Sequence, residues 1–223
     1  MALTALAFDA YGTLFDVHSV MTVAERLFPG QGKALSQLWR TKQLEYTWQR
    51  SLMRRHADFN AVTRDALRYA CAALKLPFTA EALERLNDAY RNLSAFPDSL
   101  DAMAALRGRV KLAILSNGAP DMLHAVVANS PLRGAFDEVL SVEEVGVFKP
   151  DPRVYQLAVD RLGVPAGNIG FVSSNGWDAA GAKAFGFTVY WINRAGAPTE
   201  ELGVEPDVEL ASLRDLPARI AID

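Results

Sequence analysis

Four short polar segments hold the side chains with which this chain could do chemistry: three follow apolar runs, and one precedes a helical pattern. They are residues 9–13, 116–118, 149–150 and 173–178. The first begins with Asp9, and Gly12 and Thr13 follow it closely. A carboxylate in this position can act as a nucleophile, and backbone N–H groups of the turn can support negative charge on a ligand. Considered alone, Asp9 is equally compatible with a cap of the turn.

The other three segments supply the groups that such a nucleophile needs nearby. Ser116 and Asn117 are hydrogen-bond donors, Lys149 is a cation and Asp178 is a second acid. Three hydroxyl side chains in these segments are as compatible with capping as with direct contact to a ligand: Thr13, Ser173 and Ser174. Each segment by itself is weak evidence for a catalytic site. The four together, in the order acid, hydroxyl, lysine and acid, are specific evidence.

Five apolar runs, each ended by small polar residues, predict strands that are buried on both faces of a parallel sheet. They cover residues 3–8, 110–115, 139–142, 169–172 and 188–192. Helical patterns lie between them at residues 98–106, 121–128, 152–162 and 178–185. This alternation predicts an α/β fold with a doubly wound, mostly parallel sheet, that is, a Rossmann-like core. Because ligands bind beyond the carboxyl ends of such strands, the polar segments should converge on one edge of the sheet.

The segment from residue 17 to residue 93 interrupts this alternation. It contains no convincing strand, and apolar residues recur at helical spacing, which predicts helices at residues 20–27, 33–53, 61–74 and 80–93. We therefore predict a helical cap subdomain at residues 17–93, inserted into a catalytic core formed by residues 1–16 and 94–223.

Composition excludes several classes of protein. The 223 residues include 23 Lys and Arg against 26 Asp and Glu, and the net charge is −3, so no broad basic surface is expected and nucleic acid is not an expected partner. The only cysteine is Cys71, which indicates a reducing compartment. The N-terminal segment resembles neither a signal peptide nor a membrane span. We expect a soluble cytoplasmic protein without a membrane partner.

With these motifs in this order, the chain resembles the haloacid dehalogenase superfamily and, within it, the L-2-haloacid dehalogenases. The superfamily resemblance covers the whole chain, including the cap. It implies that Asp9 is the nucleophile, Ser116 the hydroxyl of the second motif, Lys149 the charge-balancing lysine and Asp178 the acid of the fourth motif.

The predicted cap adds a further match to the dehalogenases. Residues 38–46 resemble the cap helix that supplies an arginine to the site, and Arg40 occupies the matching position. The resemblance implies that Arg40, Asn117 and Trp177 form a cradle for the departing halide. A guanidinium, an amide N–H and an aromatic ring edge can stabilise the negative charge that appears on the halogen as the carbon–halogen bond breaks.

Tyr11 distinguishes between the reactions that the superfamily resemblance allows. The phosphatases of the superfamily have a second acid at this position, which protonates a leaving alkoxide. Halide leaves without a proton, so a dehalogenase does not need that acid. Asp9 and Asp178 offer only two carboxylates, and we expect no metal and no cofactor. A phosphatase or phosphonatase-like hydrolase and a non-catalytic binding protein on this fold are the alternatives.

The resemblance implies a two-step hydrolysis of short L-2-haloalkanoates to D-2-hydroxy acids through an ester on Asp9. We expect Asp178 to orient or deprotonate the water, with Asn175 as its partner.

Further roles are expected in substrate binding and orientation. The substrate carboxylate is expected to bind Ser116 and the N–H groups around Tyr11 and Gly12, and Ser174 is a further candidate binding residue. Thr13 and Ser173 should orient Asp9 and Lys149.

Three other positions bear on the pocket. Thr41 replaces a glutamine that relatives often carry after the arginine, which could alter how the arginine is held. Leu44 and Phe59 match apolar wall positions of the family. The three histidines, His18, His56 and His124, have no spacing that indicates a metal site. A small haloacid and a halide are the expected ligands, and we expect a homodimer.

Overall fold

The computed structural model describes residues 2–221 and contains a six-stranded parallel sheet flanked by helices. The strands are β1 (Ala5–Phe8), β2 (Phe15–Asp16), β3 (Ser94–Ala95), β4 (Lys111–Ser116), β5 (Glu138–Ser141), β6 (Ile169–Ser173), β7 (Thr188–Ile192) and β8 (Val208–Leu210). The sheet has the order β5-β4-β1-β6-β7-β8, and each of its pairings is parallel. The predicted fold class is therefore confirmed.

Eight α-helices accompany these strands. They are α1 (Met21–Leu27), α2 (Gly32–Leu52), α3 (Phe59–Ala73), α4 (Ala80–Ala89), α5 (Pro97–Leu106), α6 (Pro120–Ala128), α7 (Pro152–Leu162) and α8 (Gly176–Phe185). Helices α1 to α4 lie in the segment predicted as the cap, and the other four alternate with the strands of the sheet. We call α1 to α4 the cap and the remainder the core.

The central strands lack the alternation of a half-exposed sheet. All residues of β1 and β6 are buried, and in β4 only Lys111 is exposed, because helices cover both faces. Helices α7 and α8 end at Gly163 and Gly186, whose φ angles of 65° and 114° lie in the left-handed region that favours glycine. A glycine in this conformation therefore ends each of these two helices.

The structure corrects several predicted boundaries. Helices α5 and α6 begin one residue earlier than predicted, because Pro97 and Pro120 occupy the first helical turn, where the missing N–H costs nothing. The last predicted cap helix is shorter, since α4 ends at Ala89 and a 3₁₀ turn covers Tyr90–Asn92.

Two strand features lie outside the prediction. Strand β8 pairs with β7 at the edge of the sheet. Strands β2 and β3 form a separate antiparallel pair at the two ends of the predicted cap segment. Strands of two or three residues are too short to show a period in the sequence.

Candidate active site

A lysine and two carboxylates lie in contact at the carboxyl edge of the sheet. Asp9 directly follows β1, and Asp178 lies in the first turn of α8, just after β6. The Nζ atom of Lys149 lies 3.2 Å from Asp9 Oδ1 and 2.9 Å from Asp178 Oδ2. The Lys149 side chain is fully buried. Because its ammonium contacts both acids, it offsets much of their mutual repulsion.

The second oxygen of Asp9 accepts two further hydrogen bonds. Thr13 Oγ1 donates to Asp9 Oδ2 at 2.9 Å, and Asn175 Nδ2 donates to the same oxygen at 2.7 Å. The backbone N–H of Ser174 donates to Thr13 Oγ1 at 2.8 Å. The Asn175 amide also donates to the carbonyl of Tyr11 at 3.1 Å. The Asn175 amide is thus directed at Asp9 and at the loop that follows it, residues 10–14, which we call the nucleophile loop, while its expected role beside Asp178 in handling water stays a prediction.

Asp178 is held by a residue that the sequence did not reveal. Its Oδ1 accepts from the Tyr155 hydroxyl at 2.8 Å, and its Oδ2 accepts from Ser173 Oγ at 3.2 Å. The expectation that Ser173 orients Lys149 is therefore wrong, since its hydroxyl points to the acid. Tyr155 lies on the buried face of α7, where a tyrosine cannot be distinguished from an ordinary core residue.

Burial changes the protonation of Asp178. Because the carboxyl is fully removed from water, its pKa rises from the ordinary value to about 6, although Lys149 and the Tyr155 hydroxyl oppose the change. The pKa of Tyr155 also rises well above its usual value, because of burial and of the adjacent Asp178 charge, so its hydroxyl stays a donor. Near neutral pH, Asp178 can both accept and return a proton.

The second polar segment lies beside the lysine. The Oδ1 atom of Asn117 accepts from the backbone N–H of Lys149 at 3.0 Å. An N–H can only donate, so the Asn117 oxygen must face it and the amide nitrogen must point away, with two protons to offer. Ser116 is fully buried and accepts from the N–H of Gly118 at 3.1 Å, which leaves its hydroxyl proton available.

The turn after Asp9 offers fewer free donors than the sequence predicts. Gly12, with a φ of 94°, donates its N–H to the carbonyl of Phe15 at 2.8 Å. The expectation that the Gly12 N–H binds the substrate carboxylate is therefore wrong. Within residues 2–221, no protein acceptor takes the N–H of Tyr11, which remains a candidate for that contact.

Arg40 extends from α2 of the cap to the nucleophile loop of the core. Its Nη2 donates to the Tyr11 carbonyl at 3.3 Å, and its Nη1 donates to Gln43 Oε1 at 2.8 Å. Gln43 is fully buried, and its Nε2 donates to Thr63 Oγ1 at 2.8 Å. Thr41 is exposed and donates to the Gln37 carbonyl, so Gln43 rather than position 41 holds the arginine.

Aromatic rings enclose the space between cap and core. Tyr11 is buried and stacks on Phe59, with 5.6 Å between ring centroids, while Leu44 is half-buried. Trp177 meets Trp48 of the cap edge to face at 5.4 Å. A cleft of about 440 Å³ opens beside Trp177, and its lining includes residues of α2, residues 148–151 and Leu202.

The remaining sequence expectations concern metals and membranes. Among residues 2–221, the His, Cys, Asp and Glu side chains form no group of three or more that could bind a metal ion. Of the histidines, His18 bonds Ser36, and His56 lies 2.8 Å from Glu143. In the same range, no helix is both long and apolar enough to cross a membrane.

Fold and site together define a class of protein. It is an α/β protein in which a carboxylate–lysine–carboxylate cluster lies at the carboxyl edge of a parallel sheet, and a helical cap extends an arginine over it. Such a cluster can supply a nucleophile, a counter-charge and a proton acceptor within one buried pocket.

Comparison with known proteins identifies the family. A family model described as haloacid dehalogenase-like hydrolase matches residues 3–186. An (S)-2-haloacid dehalogenase of Pseudomonas sp. (strain YL) is 53% identical over 94% of this chain and 90% of that protein. One from Pseudomonas putida is 50% identical over 95% and 93%. The solved structure of L-2-haloacid dehalogenase from Xanthobacter autotrophicus, with chloropropionic acid covalently bound, is 44% identical and covers 97% of both chains with a TM-score of 0.92. This chain belongs to the haloacid dehalogenase-like hydrolase family, and the suspected resemblance is confirmed.

Proposed function

We propose that this protein is a hydrolase of carbon–halogen bonds that converts L-2-haloalkanoates into D-2-hydroxy acids and halide. The observation that carries the proposal is the approach of Arg40 from the cap to the loop that holds Asp9. The resulting pocket combines a fixed carboxylate nucleophile with a cation suited to a departing anion. The relatives named as (S)-2-haloacid dehalogenases support the same reaction.

In the first step, a carboxylate oxygen of Asp9 attacks C2 of the substrate in line with the carbon–halogen bond. A carbon–oxygen bond forms, and the halide leaves with the bonding electron pair, so the configuration at C2 inverts. Thr13 and Asn175 hold the carboxylate in place, while the Lys149 ammonium balances its charge. No proton is needed, because halide is a weak base.

The leaving halide is stabilised by the Arg40 guanidinium, the free amide protons of Asn117 and the edge of Trp177. We assign the substrate carboxylate to the Ser116 hydroxyl and the N–H of Tyr11. Ser174 acts on the loop after Asp9 through its N–H, which donates to Thr13 Oγ1. These donors face charge that develops during the reaction, which is where such contacts accelerate a step most.

In the second step, water attacks the ester carbonyl of Asp9 rather than C2. Asp178 accepts a proton from the water as the new bond forms, and the proton passes to the departing alkoxide of the hydroxy acid. The Asp9 carboxyl then loses one proton to solvent. The balance is one water consumed, with one hydroxy acid, one halide and one proton released.

The site does not favour a phosphatase. A phosphate ester needs an acid two residues after the nucleophile to protonate its alkoxide, whereas here the buried Tyr11 ring occupies that position. Burial also raises the pKa of Tyr11 far above its ordinary value, so its hydroxyl is a poor proton donor. The ammonium of Lys149 occupies the position between Asp9 and Asp178.

One assay tests the proposed reaction against its alternatives. The protein is incubated with each enantiomer of 2-chloropropionate and with a phosphate ester, with and without EDTA, while halide and phosphate are measured. We expect halide release from the L-enantiomer alone, unaffected by EDTA, and none from Asp9→Asn. Phosphate release that depends on metal, without halide release, would overturn the proposal.

A single turnover in oxygen-18 water tests the ester. Because water attacks the carbonyl of Asp9, the first label should enter the Asp9 carboxylate and not the hydroxy acid. Label in the first molecule of product would show that water attacks C2 directly, and Asp9 would not be the nucleophile.

We further propose a homodimer in the cytoplasm. Leu52 and Met53, at the end of α2, are 85% and 62% exposed, and Tyr69 on α3 is 44% exposed, so the cap carries apolar surface that a second copy would cover. The single cysteine supports a reducing compartment. Light scattering on the purified protein tests the dimer, and a mass equal to one chain would refute it.

A further inference from the structure

An arginine outside the predicted motifs contacts the nucleophile loop. Arg194 lies two residues beyond the end of β7, and its side chain is 23% exposed. The guanidinium lies over the ring of Phe96, with its central carbon 4.1 Å from the ring centroid. Stacking on an aromatic face fixes the plane of a guanidinium and therefore the directions of its N–H groups.

All five N–H donors of Arg194 are used. The Nε and Nη2 atoms each donate to one oxygen of Asp98 at 2.9 Å. The second proton of Nη2 points to the Thr13 carbonyl at 3.0 Å. The Nη1 atom donates to Ser174 Oγ at 2.9 Å and more weakly to the Gly12 carbonyl at 3.5 Å. One planar group thus joins the start of α5, the loop after β1 and the loop after β6.

Two residues that accept hydrogen bonds from Arg194 also belong to the hydrogen-bond network that holds Asp9. Thr13, whose carbonyl accepts from Arg194, donates its hydroxyl to Asp9. Ser174, whose hydroxyl accepts from Arg194, donates its N–H to the same Thr13 hydroxyl. Arg194 therefore restrains both the Thr13 backbone and Ser174, which donates to the Thr13 hydroxyl.

Asp98 anchors the arginine from the other side. It is 10% exposed at its side chain, and besides Arg194 it accepts from Ser212 Oγ at 3.1 Å and from the N–H of Leu213 at 3.0 Å. Although burial acts in the opposite direction, these contacts lower the pKa of Asp98. The pair is thus a fixed ionic support rather than a mobile surface salt bridge.

We propose that Arg194, anchored by Asp98, is a positioning residue for the Asp9 nucleophile. It restrains residues 10–14 and Ser174 so that Thr13 presents its hydroxyl to Asp9, and none of its five donors goes to Asp9 itself. The consequence for catalysis rests on the proposed dehalogenation. A displacement of about 1 Å at a nucleophile lowers a rate by about 100-fold, so the loss of this restraint should appear mainly in kcat.

The central experiment compares Arg194→Lys with Arg214→Lys. Arg214 is a matched control, because it also links an acid of α5, Asp101, to the C-terminal region, and it is 60% exposed. A lysine cannot contact Asp98, Thr13 and Ser174 at once. We expect Arg194→Lys to lower kcat for L-2-chloropropionate by about 10- to 100-fold with KM within about threefold of the unaltered protein, while Arg214→Lys changes neither.

Two further measurements separate positioning from a general loss of folding. Arg194→Ala should regain activity in millimolar guanidinium chloride but not in ammonium chloride. Only a planar guanidinium can donate at once to Asp98, Thr13 and Ser174, as the lost side chain did. Hydrogen exchange of residues 10–14 should accelerate in Arg194→Lys and not in Arg214→Lys. Exchange reports the restraint of the loop whether or not the protein releases halide, so it tests this inference separately from the proposed function.

The outcomes that would overturn the inference are distinct. Unchanged exchange of residues 10–14 in Arg194→Lys would show that the arginine does not restrain the loop. A kcat equal to that of Arg214→Lys, in a protein that releases halide, would show that the restraint does not matter for the nucleophile. If ammonium restored the activity of Arg194→Ala as well as guanidinium does, the planar geometry of the guanidinium would be irrelevant. If the unaltered protein releases no halide from either enantiomer, the proposed function fails, and only exchange then decides the role of Arg194.

Discussion

Removing the hydroxyl of Tyr155 should move the acid limb of the pH profile of kcat to higher pH. The hydroxyl donates to Asp178 Oδ1 at 2.8 Å, and the ring packs against Phe171 and Phe187 with centroid separations of 5.6 and 6.0 Å. Tyr155→Phe preserves this packing and deletes one hydrogen bond to a carboxylate that is fully buried. Because Asp178 is fully buried, solvent cannot readily replace the lost donor.

The size of the shift follows from the energy of that hydrogen bond. A hydrogen bond to a charged group contributes about 1.5–3 kcal/mol, and about 1.4 kcal/mol corresponds to one pKa unit. Burial already raises the pKa of Asp178 to about 6, and the Tyr155 hydroxyl opposes that rise. Without the hydroxyl, the pKa should rise by about one to two further units. Asp178 must be ionised to accept a proton from water, so activity should appear only at correspondingly higher pH.

The assay is kcat for halide release as a function of pH in both proteins. The ester should also accumulate at low pH in Tyr155→Phe, because its formation needs no proton acceptor whereas its hydrolysis does. Tyr190→Phe is the control, because Tyr190 is another buried tyrosine of the core. Within residues 2–221, its hydroxyl makes no hydrogen bond to Asp9, Lys149 or Asp178. An acid limb that stays in place, or moves to lower pH, would refute Asp178 as the proton acceptor.

Four further outcomes are expected. Lys149→Met should abolish halide release and lower the free energy of unfolding by about 3–5 kcal/mol, because two buried carboxylates lose their shared cation; unaltered urea unfolding would contradict this. Arg40→Leu should lower kcat by about 10²–10³-fold, and more for chloride than for bromide, since the poorer leaving group needs more help; an equal loss for both halides would exclude a role at the halogen. Gly118→Ala should lower stability in urea by about 1–3 kcal/mol, since a Cβ there would lie 2.6 Å from Tyr11 Cε2, and a stable variant would show that the ring can move. Dialysis against EDTA should leave activity unchanged, and a loss that magnesium restores would show that a metal takes part.

Much of the site could be predicted from the chain alone, because parallel strands bring their carboxyl ends to one edge. Asp9 and Lys149 are 140 residues apart, yet they are in contact. Asp9 was placed there by the end of an apolar run, and Lys149, which precedes a predicted core helix, by the order of the motifs. Thr13 lies four residues from Asp9, and their contact is local enough to follow from the turn.

Other parts of the site could not be predicted, because they depend on how separate elements pack. Asn175 and Ser173 lie two residues apart, yet one bonds Asp9 and the other bonds Asp178. Which acid each side chain meets is decided by the turn between β6 and α8, and the spacing of the residues does not encode it. Motif order alone could therefore not tell which acid each of these two side chains bonds.

The amino-acid sequence by itself determined the alternation of apolar and polar segments along the chain, the α/β class of the fold, the presence of helices in the inserted segment and the identity of the three charged groups Asp9, Lys149 and Asp178. These properties follow from periodicity and from local turn chemistry, which act over a few residues. Only the tertiary structure decided that Tyr155, Gln43 and Arg194 hold Asp178, Arg40 and the nucleophile loop. Each of these three lies on an element whose pattern is that of an ordinary core helix or loop. Their roles arise because packing buries Tyr155 and Gln43 and half-buries Arg194, so their donors and acceptors are satisfied by groups of the site.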